Sequence, residues 1–236
     1  MNFKLIYLLL ILLLFTSCKK EISATIKLKI ELENKYSSEY PDLYQLKIYK
    51  NGKLFKNYIA DKMPYIDHEI ILMKLKGGKY QFEYENFFKQ KIIKSLFVDE
   101  SKTYNIVINP DYTDYKRNLH YSIIEKLVND DSLKINFESR GCFHSGKDSL
   151  VIKKINGKYI LKIDRKNINL ESEDVNYLKK IECELYELPK NGDCTTSDIY
   201  TLISKNRKLK FIDNTCRWNA WSNIYKKFIW KEKNGL

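Results

Sequence analysis

The stretch Gly141-Cys142-Phe143-His144-Ser145-Gly146-Lys147 has the spacing of the first seven positions of a phosphate-binding loop. Such a loop needs Ser or Thr next, to hold magnesium, and a helix after it. This chain has Asp148, whose charge repels phosphate, and Leu150 to Ile155 reads as a strand. A Gly-containing loop between two strands is the expectation, without nucleotide. Cys142 and His144 stand at C-x-H spacing, but a zinc site wants four ligands and no second close pair supports it. No metal and no cofactor are therefore expected.

Acyl-transfer chemistry needs a nucleophile, a base and a group that orients the base. His68, His120 and His144 are the only histidines available as that base. The carboxylate pairs Asp111/Asp114 and Glu182/Glu184 read as solvated or capping charges. A hydrolase would have to be built around His144, and it is the least favoured reading. Glycosidase carboxylates leave no spacing signature, because their separation is set in three dimensions.

Four cysteines lie in the body of the chain, at 142, 183, 194 and 216. Opposed residues in an antiparallel hairpin have a constant index sum, and a turn at Lys205-Asn206 sets it at 410 or 411. Cys194 and Cys216 sum to 410, so they should face each other within disulfide reach. Closing a loop of roughly 20 residues is worth about 3 kcal/mol in the chain-entropy model. A Cys142–Cys183 pair follows only by elimination. Cys183 reads equally well as a buried free thiol.

The elements that must position these groups show in the periodicity. Ile26, Leu28, Ile30 and Leu32 alternate with charged residues, as in a half-buried strand. Tyr44 to Ile48, Lys53 to Ile59, Glu69 to Leu75, Tyr80 to Tyr84, Ile92 to Val98 and Tyr104 to Ile108 continue the set. Asn51-Gly52 and Gly77-Gly78 mark turns. Seven short strands over 24–110 predict an antiparallel β-sandwich. After Asn109-Pro110-Asp111 the pattern becomes mixed, so an α+β domain is expected over 111–236. Leu119, Ile123, Ile124, Leu127 and Val128 share a helical face. Hairpins are expected at Asn156-Gly157 and Lys205-Asn206. A helix is expected from Ser172 toward Pro189, and a C-terminal helix from near Asn214. Trp218, Trp221, Tyr225 and Phe228 form the core-facing stripe of that last helix, with Trp230 left exposed.

Formal net charge is +12, yet only five of the 42 basic residues are Arg. Arg is the preferred side chain for bidentate phosphate and base contacts. A chain this rich in dispersed Lys argues against nucleic acid and reads first as a solvated surface, with loose attraction to an acidic polysaccharide or anionic lipid headgroups as the residual alternative.

The apolar run Leu5 to Phe15 is too short to cross a bilayer and fits a secretory signal peptide. It ends in Thr16-Ser17-Cys18 and resembles the type II signal peptides of bacterial lipoproteins. The resemblance implies removal of 1–17, lipidation of Cys18 and a tether over 18–23. Lys19 stands where Asp would mark inner-membrane retention, which points to the outer membrane. The segment LKGGKYQFEYENFFKQKIIKSLFVDESKTYNIVI resembles the transthyretin-like or carboxypeptidase-regulatory-like sandwiches. That family implies a binding or structural module without catalysis. SRGCFHSGKD, CTTSDIY and DNTCRWNAW resemble landmarks of uncharacterised bacterial lipoproteins. A lipid-anchored envelope protein that binds a glycan or protein is the first functional expectation. An inhibitor or immunity factor against a secreted hydrolase or toxin is the second.

Overall fold

The computed structural model describes residues 21–37, 39–60, 65–192 and 194–230, apart from the side chain of Trp230. Strand outweighs helix by 47% to 17%, so the chain is mostly β. Its first half holds β1 (Ala24–Ile30), β2 (Gln45–Lys50), β3 (Lys53–Ile59), β4 (Glu69–Leu75), β5 (Gly78–Glu85), β6 (Lys91–Val98) and β7 (Thr103–Ile108). They form two sheets, ordered β4-β1-β7 and β3-β2-β5-β6. The inward residues of both, among them Ile26, Leu28, Leu46, Ile48, Tyr80 and Phe82, make one buried cluster. Each such side chain contributes roughly 1.5–3 kcal/mol by leaving water. Asn51 and Gly52 have φ of 48° and 79°, the two positive values that a tight hairpin between β2 and β3 requires.

The pairing is not wholly antiparallel, which corrects the expectation from sequence. β1 and β7 run parallel, from Thr25↔Thr103 to Ile30↔Ile108. β6 and β7 belong to different sheets, so Asp99–Lys102 carries the chain across. The direction of that crossing, and no hairpin, sets how β7 meets β1.

The second half begins with a 3₁₀ segment, Tyr115–Tyr121, and α1 (Ile123–Lys126). Then come β8 (Ser132–Arg140), β9 (Ser145–Ile155), β10 (Lys158–Ile163), β11 (Lys166–Leu170) and α2 (Ser172–Leu185). β12 (Ser197–Ser204), β13 (Arg207–Asp213), α3 (Ala220–Tyr225) and a π turn, Lys226–Trp230, complete it. The strands form one antiparallel six-stranded sheet, ordered β11-β10-β9-β8-β12-β13. One face packs Leu133, Leu150, Leu161 and Leu202 against Leu178 and Ile181 of α2 and Ile224 of α3. Phe87 and Phe88, from the β5–β6 turn, are buried in this second cluster, so the two halves share side chains.

Several helix boundaries differ from the periodicity. Ser122 is extended (φ −57°, ψ 127°) and caps α1 by accepting from the Glu125 N–H, so the single helix through Val128 is broken. Val128 is 63% exposed. α2 does begin at Ser172, but its cap is Glu171, which trades hydrogen bonds with Asp174. The last helix starts at Ala220 and not near Asn214, because Cys216 and Asn219 adopt left-handed φ of 57° and 48°.

Cys194 and Cys216 are joined, with Cα atoms 5.8 Å apart. The β12–β13 register runs from Asp198↔Asp213 to Ser204↔Arg207, which places the turn at Lys205-Asn206 as expected. The Cys194 N–H donating to the Asn214 carbonyl extends it toward the disulfide. Cys142 and Cys183 are both free, which corrects the pairing by elimination. Cys142 is exposed between β8 and β9, whereas Cys183 is buried in α2. Burial, with Glu182 and Glu184 beside it, pushes the Cys183 thiol up to about 12. Cys18 lies outside the described residues, among which no helix is long and apolar enough to cross a membrane.

Candidate ligand cavity

A cavity of about 200 Å³ opens where the β1–β2 connection, α2 and the segment after β13 meet. α2 supplies Tyr177, Lys180 and Glu184, which share a face by their spacing. Asn34 and Tyr36 come from the β1–β2 connection, Asp111 follows β7, and Trp218 and Asn223 come from the last segment. The disulfide fixes that segment one residue before Arg217.

Glu184 is the deepest of these groups, at 5% exposed. The Thr113 hydroxyl donates to its Oε1 at 3.0 Å and the Trp218 indole N–H to its Oε2 at 2.8 Å. Burial raises its pKa to about 7, and Lys180 opposes that rise. Asp111 is raised too, by burial, although its two oxygens accept from the Glu33 and Asn34 N–H groups at 2.8 Å each. Lys180 pairs with Glu33 at 2.6 Å and lies 3.9 Å from Glu184. Burial alone would lower its pKa; Glu184 and Glu33 hold it above the ordinary lysine value. Lys227 closes the neighbouring flank. It pairs with Asp174 at 2.8 Å and sits over the rings of Tyr36 and Tyr177 at 4.9 and 5.2 Å.

A carboxyl near pKa 7 has the range that a general acid or base needs. Both Glu184 oxygens are already engaged, however, and both Asp111 oxygens are held by backbone. Asn223 differs. It is 3% exposed, its amide N–H donates to the Trp218 carbonyl at 3.3 Å, and its Oδ1 has no donor among the described residues. A buried acceptor left unpaired costs about 1–3 kcal/mol. A ligand hydroxyl or amide, or a water, would remove that cost by donating to it.

The residues singled out by sequence are distributed elsewhere. Gly141 to His144 is the hairpin loop between β8 and β9, with no helix after it, so the phosphate-loop geometry is absent. His144 Nε2 lies 3.0 Å from the Ser139 hydroxyl; Asp198 is near, its pKa raised by burial with Ser139 and His144 opposing the rise. Among the described residues no carboxylate hydrogen-bonds or ion-pairs with His144, the contact that would orient it in a hydrolytic triad. No group of three or more metal-ligating side chains occurs among the described residues.

Glu182 and Glu184 are both buried, which corrects their reading as solvated charges. Glu182 does cap: it accepts from the Ser122 hydroxyl and from the Ile123 and Ile124 N–H groups at the start of α1. Trp218, Trp221 and Phe228 are buried as a core stripe, as expected. The side chain of Trp230 lies outside the described residues. Sequence reasoning missed Tyr177, Lys180 and Asn223; the polar i, i+3, i+7 set Tyr177, Lys180 and Glu184 threaded between apolar positions of α2 was the available signal for the first two, and Asn223 left none. Compared with known proteins, the chain matches no protein-family model and no curated relative.

Proposed function

We propose that this chain is a lipid-tethered protein of the bacterial envelope that binds a glycan and catalyses no reaction on it. The observation that carries the reading is the buried, donorless Asn223 Oδ1 in a cavity that also presents Trp218 and Tyr177, while the Glu184 and Asp111 carboxyls there are already engaged. Sugar hydroxyls donate to such an acceptor, and sugar C–H faces pack on aromatic rings. Ser37 also lines the cavity, away from the two cores. Ser37→Trp fills that space, so capture on an array of neutral oligosaccharides should fall about tenfold or more at unchanged thermal stability. Equal capture by both proteins removes the cavity from the argument.

The envelope address rests on the resemblance of 1–18 to type II signal peptides. On that reading Cys18 carries acyl chains, the tether runs over 18–23, and Lys19 sends the protein to the outer membrane. Two or more chains hold a membrane stably. Cys18→Ser should move the protein from the membrane fraction to the soluble fraction; a variant that stays membrane-bound refutes the anchor. Beyond the tether we divide the chain into a sandwich-like module over 24–110 and a module over 111–236 that contributes most of the cavity.

A second reading, an inhibitor or immunity factor, has one observation in its favour. Phe143, at the tip of the β8–β9 loop, is fully exposed, as a side chain that plugs a partner's cleft would be.

A further inference from the structure

The six-stranded sheet has a second face, opposite the side packed on α2 and α3. Alternation along β8, β9, β10, β12 and β13 sends one residue in two to that face. The register then lines up Lys162↔Val151↔Lys134↔Ile203↔Lys208 across five strands. The three lysines are exposed, and Val151 and Ile203 are half-buried between them. Each lysine is two strands from the next, so the charges recur at about 9.5 Å. The adjacent row on the same face reads Ser149↔Asn136↔Thr201↔Lys210, three neutral hydrogen-bonding side chains and a fourth lysine.

The charge on this face is one-sided. Its only acid in these strands is Glu138, which Arg140 and Lys147 already neutralise at 2.7 and 3.4 Å. Among the described residues, none of Lys134, Lys162, Lys208 and Lys210 has an ion-pair partner. Outward lysines of the other two sheets do find carboxylates, as in Lys91–Glu83 at 2.7 Å and Lys29–Glu31 at 2.6 Å.

We infer that this outer face docks a linear anionic polysaccharide bearing one acid group on every second sugar, laid across the strands along Lys162, Lys134 and Lys208. Charge complementarity and spacing carry the inference. A pyranose chain acidified at alternate sugars repeats its charge at nearly the interval that alternate strands impose. The neutral sugar between two acids then lies over Val151 or Ile203, and its hydroxyls reach the Ser149, Asn136 and Thr201 row. A duplex nucleic acid would call for Arg forks, and single strands for aromatic stacking platforms. The lysine row has neither. A membrane surface would call for protruding aromatic side chains; the lysine row carries none, Val151 and Ile203 are half-buried within it, and the exposed apolar residues of the face, Ile155 and Ile212, stand outside the row.

The test uses the full chain in detergent on immobilised hyaluronan and unsulfated chondroitin, each with one carboxylate on every second sugar, with dextran as the uncharged control. Binding to both acidic polymers, absent on dextran and weakened by salt, is expected. K134E/K162E/K208E should weaken it by about tenfold or more, and K134Q/K162Q/K208Q by less. K27E/K53E/K79E, with the same charge change on exposed positions of the other sheets, should bind within about twofold of the natural protein. Equal losses in the two charge-reversed triples would reduce the effect to net charge and overturn the inference. So would equally tight binding of phosphatidylglycerol vesicles or duplex DNA through the same lysines. The cavity variant Ser37→Trp should bind hyaluronan normally, which separates this surface from the cavity.

Discussion

Trp218→Ala is expected to remove about 3–5 kcal/mol of stability, a large share of the 5–15 kcal/mol typical of a folded chain. Two losses add. The ring is 7% exposed and packs edge-on to Phe88 and tilted to Tyr200, at centroid distances of 6.0 and 5.5 Å. Its removal opens a void among residues of both halves of the chain. The indole also gives Glu184 one of its two neutral donors. Trp218→Phe separates the terms: it keeps most of the packing and loses the donor, which costs about 0.5–1.5 kcal/mol while Glu184 is protonated and about 1.5–3 kcal/mol once it is ionised. Urea unfolding of the three proteins measures both. A loss under about 1 kcal/mol in the alanine variant would mean that the shared core around Trp218 does not hold the halves together.

Much of the strand framework was legible in the sequence because period-two alternation reports a one-sided face directly. The seven early strands and the hairpins at Asn156-Gly157 and Lys205-Asn206 stand where the pattern puts them. Two features were not legible. Strand direction leaves no mark in alternation, so the parallel β1–β7 pair could not be read. Local backbone breaks are equally silent: Leu119 to Val128 has a helical apolar stripe, yet the Ser122 side chain satisfies a helix start in its middle. β11 escaped because Asp164 and Arg165, with φ of 48° and 62°, form a turn without the usual glycine.

The candidate sites were less legible, for a different reason. Glu184 reads as one more acid on a helix. Only Thr113, 71 residues away, and Trp218, 34 residues away, make it a buried acceptor. The lysine row shows the same limit. Lysines are scattered over β8, β9, β10, β11 and β13, which looks like even dispersal along the chain. Registers between strands gather Lys162, Lys134 and Lys208 and leave Glu138 as the one acid of those strands on that face. The Cys194–Cys216 pair is the exception that explains the rule, since its register follows from one local turn.

The buried carboxyls predict an unusual pH dependence. Glu184 has a folded pKa of about 7 against an ordinary value of 4.5. Between those values the folded state holds a proton that the unfolded chain has released. The contribution of Glu184 is therefore fully present below its unfolded value and is lost as pH rises through about 7. Its size is roughly 3 kcal/mol. Asp111, Glu182 and Asp213 are also raised by burial, so they act in the same direction. Glu187 is lowered, with Arg117 and Asn118 outweighing its burial, and acts in the opposite direction as pH falls. Stability should consequently drop from about pH 5 to pH 8, where an ordinary set of paired carboxylates would hold it level. Glu184→Gln supplies the control. Its amide oxygen can accept from Trp218 and its amide nitrogen can donate to the Thr113 oxygen, so both partners stay satisfied without a charge. The variant should show a much flatter profile and equal or exceed the natural protein near pH 8. Urea midpoints across that range decide the matter. A natural protein that gains stability over the interval, with the same slope in the variant, would place the Glu184 proton elsewhere and leave Lys180 as the partner that keeps the carboxylate ionised.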